Sequence, residues 1–379
     1  MSSGSGKKHG GAKFTYHPFE VTLCGYSGAG KTTLVAKLLR LWAPRFRVGY
    51  VKHDAHRFEM DKPGKDTYEA TQAGAAAVQI NDPRHHAHIS ALPYSRFARS
   101  YGFIDTDFVL AEGFKQSGLP KILLLDADER ALRELGAGAF QNVIAVAGAE
   151  SKPPRGLTYP YFHRDDVETI ASFIETRFHE QARAPLYGLV LAGGQSTRMG
   201  RPKWALDYQG EPHAVRMARL LTPQCEQVFL SVRPGQEAEE LPELPRITDC
   251  YPAWGPTTGI LSAMQAYPEA AWLVVACDLP FLDSGTLAHL VAEADPFKTA
   301  TAYRSANDGL PEPLCAIYQP RAAQRLLQAA GLGMTCPRKV LIESAPKLLD
   351  LQNPRALENA NTPDEYASAV ALLKETVHG

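Results

Sequence analysis

The sequence predicts two α/β domains, each a mainly parallel β-sheet between helices, and three observations carry that prediction. The chain has 379 residues, enough for two domains or three at roughly 150 residues each. Each half opens on a short apolar strand that runs at once into a glycine-rich loop. Between the halves, His179-Glu-Gln-Ala-Arg-Ala-Pro185 reads as a linker after which the chain starts again. The expected organisation is a flexible tail over 1–14, a nucleotide-binding domain over 15–178, a linker over 179–185 and a second domain over 186–379.

Composition excludes several classes. Hydrophobic residues at 45% and charged residues at 21% are ordinary globular values, which argues against extensive disorder. A formal net charge of −1 gives no general hold on nucleic acid or on an anionic membrane. The longest apolar strings, such as Trp272 to Ala276, are strand-sized and far short of a membrane span. The opening residues MSSGSGKKHGGAKF carry positive charge but no apolar core, so they read as a tail and not as a secretory signal. The cysteines, Cys24, Cys225, Cys250, Cys277, Cys315 and Cys336, form no C-x-x-C pair. That spacing suits reduced thiols in the cytoplasm better than a disulfide scaffold or a zinc site.

In the first half, Phe19-Glu-Val-Thr-Leu23 is strand-like and Leu34 to Leu41 helix-like. Between them lies Gly25-Tyr-Ser27-Gly28-Ala29-Gly30-Lys31-Thr32-Thr33. Strand, G-x-x-x-x-G-K-T and helix in this order form a P-loop. Its glycines let backbone N–H groups turn inward around phosphate oxygens, and the helix N-terminus adds partial positive charge. Lys31 is expected to reach the β- and γ-phosphates, and the Thr32 hydroxyl to ligate Mg²⁺. A P-loop enzyme also needs a carboxylate at the carboxyl end of a neighbouring strand. The strand Asp107-Phe-Val-Leu-Ala-Glu112 supplies Glu112 there, with Asp107 less well placed at its start. Lys52-His53-Asp54, after the strand Arg47 to Val51, offers a second acid near the same cleft. His85-His86-Ala-His88 reads as a solvated loop, since adjacent imidazoles diverge and no acid or cysteine joins them at ligand spacing. No N/T-K-x-D base-reading motif is present, so the P-loop does not choose guanine over adenine. Asp165 to Phe178, acidic at its start and apolar at helical spacing, closes the domain as a helix.

The second half opens with the buried strand Leu186-Tyr-Gly-Leu-Val-Leu191 and the loop Ala192-Gly193-Gly194-Gln-Ser-Thr-Arg198-Met-Gly-Arg-Pro-Lys203. Small residues let a base and phosphates lie against backbone N–H groups. Arg198 and Lys203 place two cations where charge on a phosphoryl centre needs stabilising. Asp249 precedes a tight turn into the helix Ile260 to Tyr267. Trp272-Leu-Val-Val-Ala-Cys277-Asp278-Leu-Pro280 delivers an aspartate at the carboxyl end of a buried strand, well placed for Mg²⁺. Asn359-Ala-Asn361-Thr362-Pro363 offers amide oxygens that complete a metal shell, or simply an N-cap.

The run Leu191 to Lys203 resembles the signature loop of the nucleotidyltransferases that include the molybdenum-cofactor guanylyltransferase, MobA, a family with a Rossmann-like fold. The resemblance extends through Asp249, Gly255-Pro256, Cys277-Asp278-x-Pro280, Glu312-Pro-Leu314 and Asn359-x-Asn361-Thr-Pro363, covering about residues 186–375. The first half is similar to the MobB family, a nucleotide-binding adaptor of the same pathway. There the matching residues are Gly25 to Thr33, Lys52-His-Asp-Ala-His56, Asp61-x-Pro-Gly-Lys-Asp66, Gln72-Ala-Gly74 and Glu112-Gly-Phe-Lys115. The whole resembles a natural fusion of both.

The resemblance implies that the second half joins GMP from GTP to the terminal phosphate of molybdopterin and releases pyrophosphate. It carries nucleotide binding onto Leu191, Ala192, Gly193, Gly194, Lys203, Ser231, Asp249 and Asp278, and catalysis onto Asp278, Lys203 and Arg198. Mg²⁺ would sit on Asp278, with Asn361 completing the shell, and a second on Thr32. The implied role of the first half is to bind and slowly hydrolyse GTP. Implied partners are molybdenum-inserting proteins, apo-molybdoenzymes and a second copy docked through the first half. Relatives that select guanine often carry an asparagine near the end of the strand Val228 to Arg233, where Ser231 stands here. A cytidylyl-transferring cousin therefore stays open, as do a sugar-phosphate nucleotidyltransferase, a cofactor-delivery module and, for the first half, a small-molecule kinase. Arg338 and Lys339 are either contacts for the pterin phosphate or an exposed basic pair.

Overall fold

The structure is a computed structural model that describes residues 14–53, 60–193, 202–236 and 244–378. The chain divides into two compact α/β units, residues 1–181 and 182–379. No helix among the described residues is long and apolar enough to cross a membrane.

The first unit runs β1 (Glu20–Gly25), α1 (Lys31–Trp42), β2 (Val48–Lys52), α2 (Asp66–Gln72), β3 (Ala77–Asn81), β4 (His86–Ser90), α3 (Arg96–Tyr101), β5 (Phe108–Glu112), β6 (Lys121–Leu124), α4 (Arg130–Gly136), β7 (Val143–Gly148), β8 (Tyr161–His163) and α5 (Val167–Gln181). Its main sheet is parallel throughout, in the order β2-β5-β1-β6-β7-β8. β5 and β6 are buried along their whole length, as parallel strands covered on both faces must be. Trp42 of α1 meets Phe108 of β5 edge-on at 5.0 Å, and Phe178 of α5 packs on the same ring at 5.3 Å. This sheet order matters for chemistry, because β1 and β5 are neighbours with Leu23 opposite Glu112. The loops that leave their carboxyl ends therefore lie side by side.

Two differences from the sequence reading stand out in this unit. Helix α5 continues through Gln181, so three residues of the segment expected as linker complete its last turn. The histidine segment is also no loop: His86 and His88 lie on β4, paired antiparallel with β3. The Asp82 carboxylate fixes the turn by accepting the Arg84 and His85 N–H groups, both at 2.6 Å. The strand is exposed along nearly all its length, which is why its composition resembles a loop. Indeed no residue from Met60 to Thr106 is buried.

The second unit runs β9 (Leu186–Leu191), a short 3₁₀ turn (Lys203–Ala205), α6 (His213–Leu221), β10 (Gln227–Val232), β11 (Arg246–Thr248), α7 (Pro256–Ala266), β12 (Ala271–Ala276), α8 (Ser284–Ala292), β13 (Ala300–Arg304), β14 (Pro311–Tyr318), α9 (Ala322–Gly331), α10 (Pro337–Glu343), β15 (Lys347–Leu349) and α11 (Pro363–His378). The sheet order is β11-β10-β9-β12-β14-β13-β15. The first four strands are mutually parallel, β14 is antiparallel to both β12 and β13, and β15 is parallel to β13. Register aligns the strand ends. Leu191 of β9 is opposite Ser231 of β10 on one side and Ala276 of β12 on the other. Three carboxyl-terminal loops thus leave one edge together, where open α/β sheets bind ligands.

Candidate functional site

In the second unit these loops line a cleft of about 920 Å³. Its walls include Leu191 at the end of β9 with Ala192 and Gly193 just after it, Ser231 and Arg233 at the end of β10, Asp249 after β11, and Asp278 after β12. Lys203 reaches the cleft because the next residue, Trp204, is buried in the core beneath. The Lys203 ammonium donates to Asp278 Oδ2 at 2.9 Å and to Asn361 Oδ1 at 2.5 Å. Asn361 is held in place from two sides. Ala360 N–H donates to the Asp278 carbonyl at 3.0 Å. Glu365 accepts the Asn361 and Thr362 N–H groups at 2.6 and 3.1 Å, while Thr362 Oγ1 accepts from Glu365 N–H at 3.3 Å. That reciprocal pair is a capping box opening α11. The Thr-x-x-Glu spacing announces it in the sequence, yet only the cap half of it is legible there as a functional cue.

Asp278 and Asn361 therefore aim two oxygens at one point of cationic size beside an open cleft. One carboxylate and one amide oxygen suit Mg²⁺, which takes few protein ligands and completes its shell with water and phosphates.

Across the cleft the Ser231 hydroxyl donates to Asp249 Oδ1 at 3.0 Å. Burial raises the Asp249 pKa above its ordinary value, opposed by the Ser231 hydrogen bond and the Arg233 charge. Arg233 lies across Gly193, where an added Cβ would meet its Cγ at 3.2 Å and Asp249 Oδ2 at 3.4 Å. Helix α7 approaches just as closely, since a Cβ on Gly259 would lie 2.4 Å from Ser231 Oγ and 2.9 Å from Leu191 Cδ2. Tyr251 lines the cleft as well, and sequence reasoning singles out neither it nor Arg233. Arg233 has a usable signal, being the first residue beyond a buried strand. Gly194 and Arg198 fall outside the described residues, as does Asp54 of the first half. Arg338 is held by Asp308 at 3.1 Å and Glu312 at 2.8 Å, which offsets its charge, and Lys339 is exposed.

In the first unit Gly28 and Gly30 take the left-handed φ values of 78° and 89° that wrap the loop Gly25 to Gly30 ahead of α1. A Cβ on Gly25 would strike the Leu124 carbonyl at 2.6 Å. Within the loop Ser27 is exposed and Ala29 buried, and Thr33 lies exposed in the first turn of α1. Lys31 Nζ donates to the Tyr26 carbonyl at 2.7 Å. Thr32 Oγ1 donates to Glu112 Oε1 at 2.9 Å, and the Tyr50 hydroxyl to Glu112 Oε2 at 2.8 Å. Burial and that carboxylate raise the Tyr50 pKa. Asp107 sits at the opposite end of β5, where its Oδ2 accepts the Arg47 N–H at 2.8 Å. Among the described residues no group of three or more His, Cys, Asp or Glu is arranged to hold a metal, and the histidines of β4 are no exception.

Two sequence families match the chain in separate stretches. "Molybdopterin guanine dinucleotide synthesis protein B" matches residues 21–149, and "MobA-like NTP transferase domain" matches residues 188–347. A molybdopterin-guanine dinucleotide biosynthesis adapter protein of Haemophilus influenzae is 34% identical over 41% of this chain and 88% of its own length. A probable molybdenum cofactor guanylyltransferase of Trichormus variabilis is 32% identical over 48% of this chain and 89% of its own length. The chain belongs to the MobB family in its first half and to the MobA-like nucleotidyltransferases in its second. A molybdenum cofactor biosynthesis bifunctional protein of Synechocystis sp. is 42% identical over 49% of this chain, a stretch that spans 54%, about half, of that relative. The cleft around Lys203 lies in the MobA-like half and the P-loop in the MobB half.

Proposed function

We propose that the MobA-like half transfers GMP from GTP to the phosphate of molybdopterin and releases pyrophosphate. The observation that carries this reading is the convergence of Lys203, Asp278 and Asn361 at one end of a cleft whose other end presents Asp249 and Ser231. An ionised carboxylate only accepts hydrogen bonds, so Asp249 faces the N–H donors of a guanine edge. The backbone of Leu191, Ala192 and Gly193 lies along the base and ribose. Asp278 and Asn361 would hold Mg²⁺, which neutralises charge on the phosphates when bound. Lys203 and Arg198 would serve the β- and γ-phosphates.

An oxygen of the pterin phosphate attacks the α-phosphorus in line. The new P–O bond forms as the bond to the bridging αβ oxygen breaks, and pyrophosphate leaves with the electron pair. Developing negative charge on that leaving group falls to Lys203 and Arg198. The attacking oxygen is already anionic, so positioning supplies most of the acceleration.

In the MobB half Thr32 and Glu112 would hold a second Mg²⁺ beside a P-loop nucleotide, with slow GTP hydrolysis timing cofactor synthesis or delivery to apo-molybdoenzymes. Molybdenum-inserting proteins are the corresponding suppliers. The uncovered stretch from Met60 to Thr106, with Ile80, Tyr94 and Phe97 at 60%, 56% and 77% exposure, is the surface through which a second copy docks. The free thiols fit a cytoplasmic setting.

The test is incubation with Mg²⁺, molybdopterin and either GTP or CTP. Pterin-dependent pyrophosphate release with GTP supports the reading. Release with CTP alone moves the assignment to a cytidylyltransferase, and binding without release moves it to a delivery module. Phosphate release abolished by Lys31→Ala assigns hydrolysis to the P-loop, and sedimentation distinguishes dimer from monomer.

A further inference from the structure

Arg164 follows β8 in the MobB half and lies at the mouth of the P-loop. A Cβ placed on Gly30 would be 3.9 Å from both its Cδ and its Nη1. Its two neighbours hold it there. His163 Nε2 is 2.8 Å from the Ala149 carbonyl, to which it donates, and Asp165 pairs with Lys37 of α1 at 2.7 Å. The Arg164 N–H itself donates to the Gly148 carbonyl at 2.8 Å. The side chain is half-buried, and among the described residues no hydrogen bond or ion pair occupies its guanidinium.

That placement gathers positive charge at one point. Gly30 is the N-cap of α1, a helix of twelve residues whose first turn contains no acid. The N-terminus of a helix carries partial positive charge and favours anions. Lys31 adds a full charge one residue on, while Glu112, the carboxylate bonded to Thr32, is also held by Tyr50. The adjoining Asp165 carboxylate feels the Arg164 charge, but it is paired with Lys37, and an anion lying between Arg164, Lys31 and the helix N-terminus would be favoured by all three. A phosphate offers a guanidinium the paired oxygens it binds best.

We propose that Arg164 contacts the phosphate chain of a nucleotide in the P-loop and is a binding residue of that site. This rests on the reading of the P-loop as a nucleotide site. Arg164 grips phosphates already present in a nucleoside diphosphate, so its contribution is the same for either purine base.

The full-length protein with Mg²⁺ is titrated with GDP and separately with ADP, following backbone hydrogen exchange in residues 25–34 by mass spectrometry. This readout is local to the P-loop and blind to the cleft of the other half. Arg164→Ala should raise the midpoint of protection about ten- to a hundredfold, the range for one charge-assisted contact. Arg164→Lys should fall between, and should report in place of the alanine variant if that one melts early. An Arg164→Ala midpoint equal to wild type, with Lys31→Ala shifted, overturns the role of Arg164 and leaves the P-loop assignment standing. A loss confined to one base overturns the phosphate contact. No protection in wild type removes the nucleotide site, and Arg164 with it.

Discussion

Gly259 ties the packing of α7 to the floor of the transferase cleft, and Gly259→Ala separates that role from ordinary helix chemistry. In an unobstructed helix the change would stabilise by about 1 kcal/mol. Here the new methyl would lie 2.4 Å from Ser231 Oγ and 2.9 Å from Leu191 Cδ2, and overpacking of this kind costs about 1–3 kcal/mol. If Ser231 rotates away instead, it gives up its 3.0 Å bond to Asp249, at about 1 kcal/mol or more. Set against the propensity gain, the net expectation is destabilisation by about 0–2 kcal/mol. For a unit of this size each kcal/mol lowers the melting temperature by about 2–4 °C. The KM for GTP should rise several-fold, because Ser231 and Leu191 both line the cleft. Calorimetry and steady-state kinetics measure the two effects. In a Ser231→Ala background the penalty should shrink, since the shortest contact is then gone while the one to Leu191 remains. A higher melting temperature for Gly259→Ala, with an unchanged KM, would refute the close approach.

Three further outcomes are expected. Asp278→Asn should lower kcat about 10²–10³-fold while shifting stability by no more than about 1 kcal/mol, because its pairing with Lys203 is partly exposed; turnover near wild type would remove Asp278 from the reacting centre. The raised pKa of Asp249 places the acid limb of kcat/KM for GTP above the usual carboxylate range, and Ser231→Ala, by deleting a donor that lowers this pKa, should move the limb further up. For folding the sign is opposite to that of a salt-bridged acid: the Asp249 contribution is present at acid pH and is lost as pH rises through its folded pKa. Glu365→Ala should cost about 1 kcal/mol through the lost capping box and reduce transfer by loosening Asn361, with a matching loss in Asn361→Ala checked by a double-mutant cycle.

What the sequence makes legible is local. A strand, a glycine loop and a helix are contiguous, so β1, the turn through Gly28 and Gly30 and α1 can be read from one stretch, and Asp278 as lying just beyond a buried strand. Pairings between distant segments are not legible. Nothing in β14 tells that it runs against β12, since a strand buried on both sides is apolar in either direction. Arg338 looks like a free cation until Asp308 and Glu312 are seen to hold it. Arg164 lies well over a hundred residues from the P-loop, and only the parallel order β1-β6-β7-β8 brings the two together. The exposed hairpin of β3 and β4 misleads for a different reason. With both faces in water it lacks the apolar alternation by which half-buried strands are recognised.

Asn361 stands 158 residues downstream of the lysine it accepts from, and the box that steadies it belongs to α11. The P-loop unit precedes it in order of synthesis and can fold while most of the second unit is still to be made. Domains generally fold as they emerge, so on the proposed reading transfer competence waits for α11, well after the P-loop unit is complete. On that reading a chain that stopped before α11 would keep the P-loop unit and lose the box that steadies Asn361, and with it transfer.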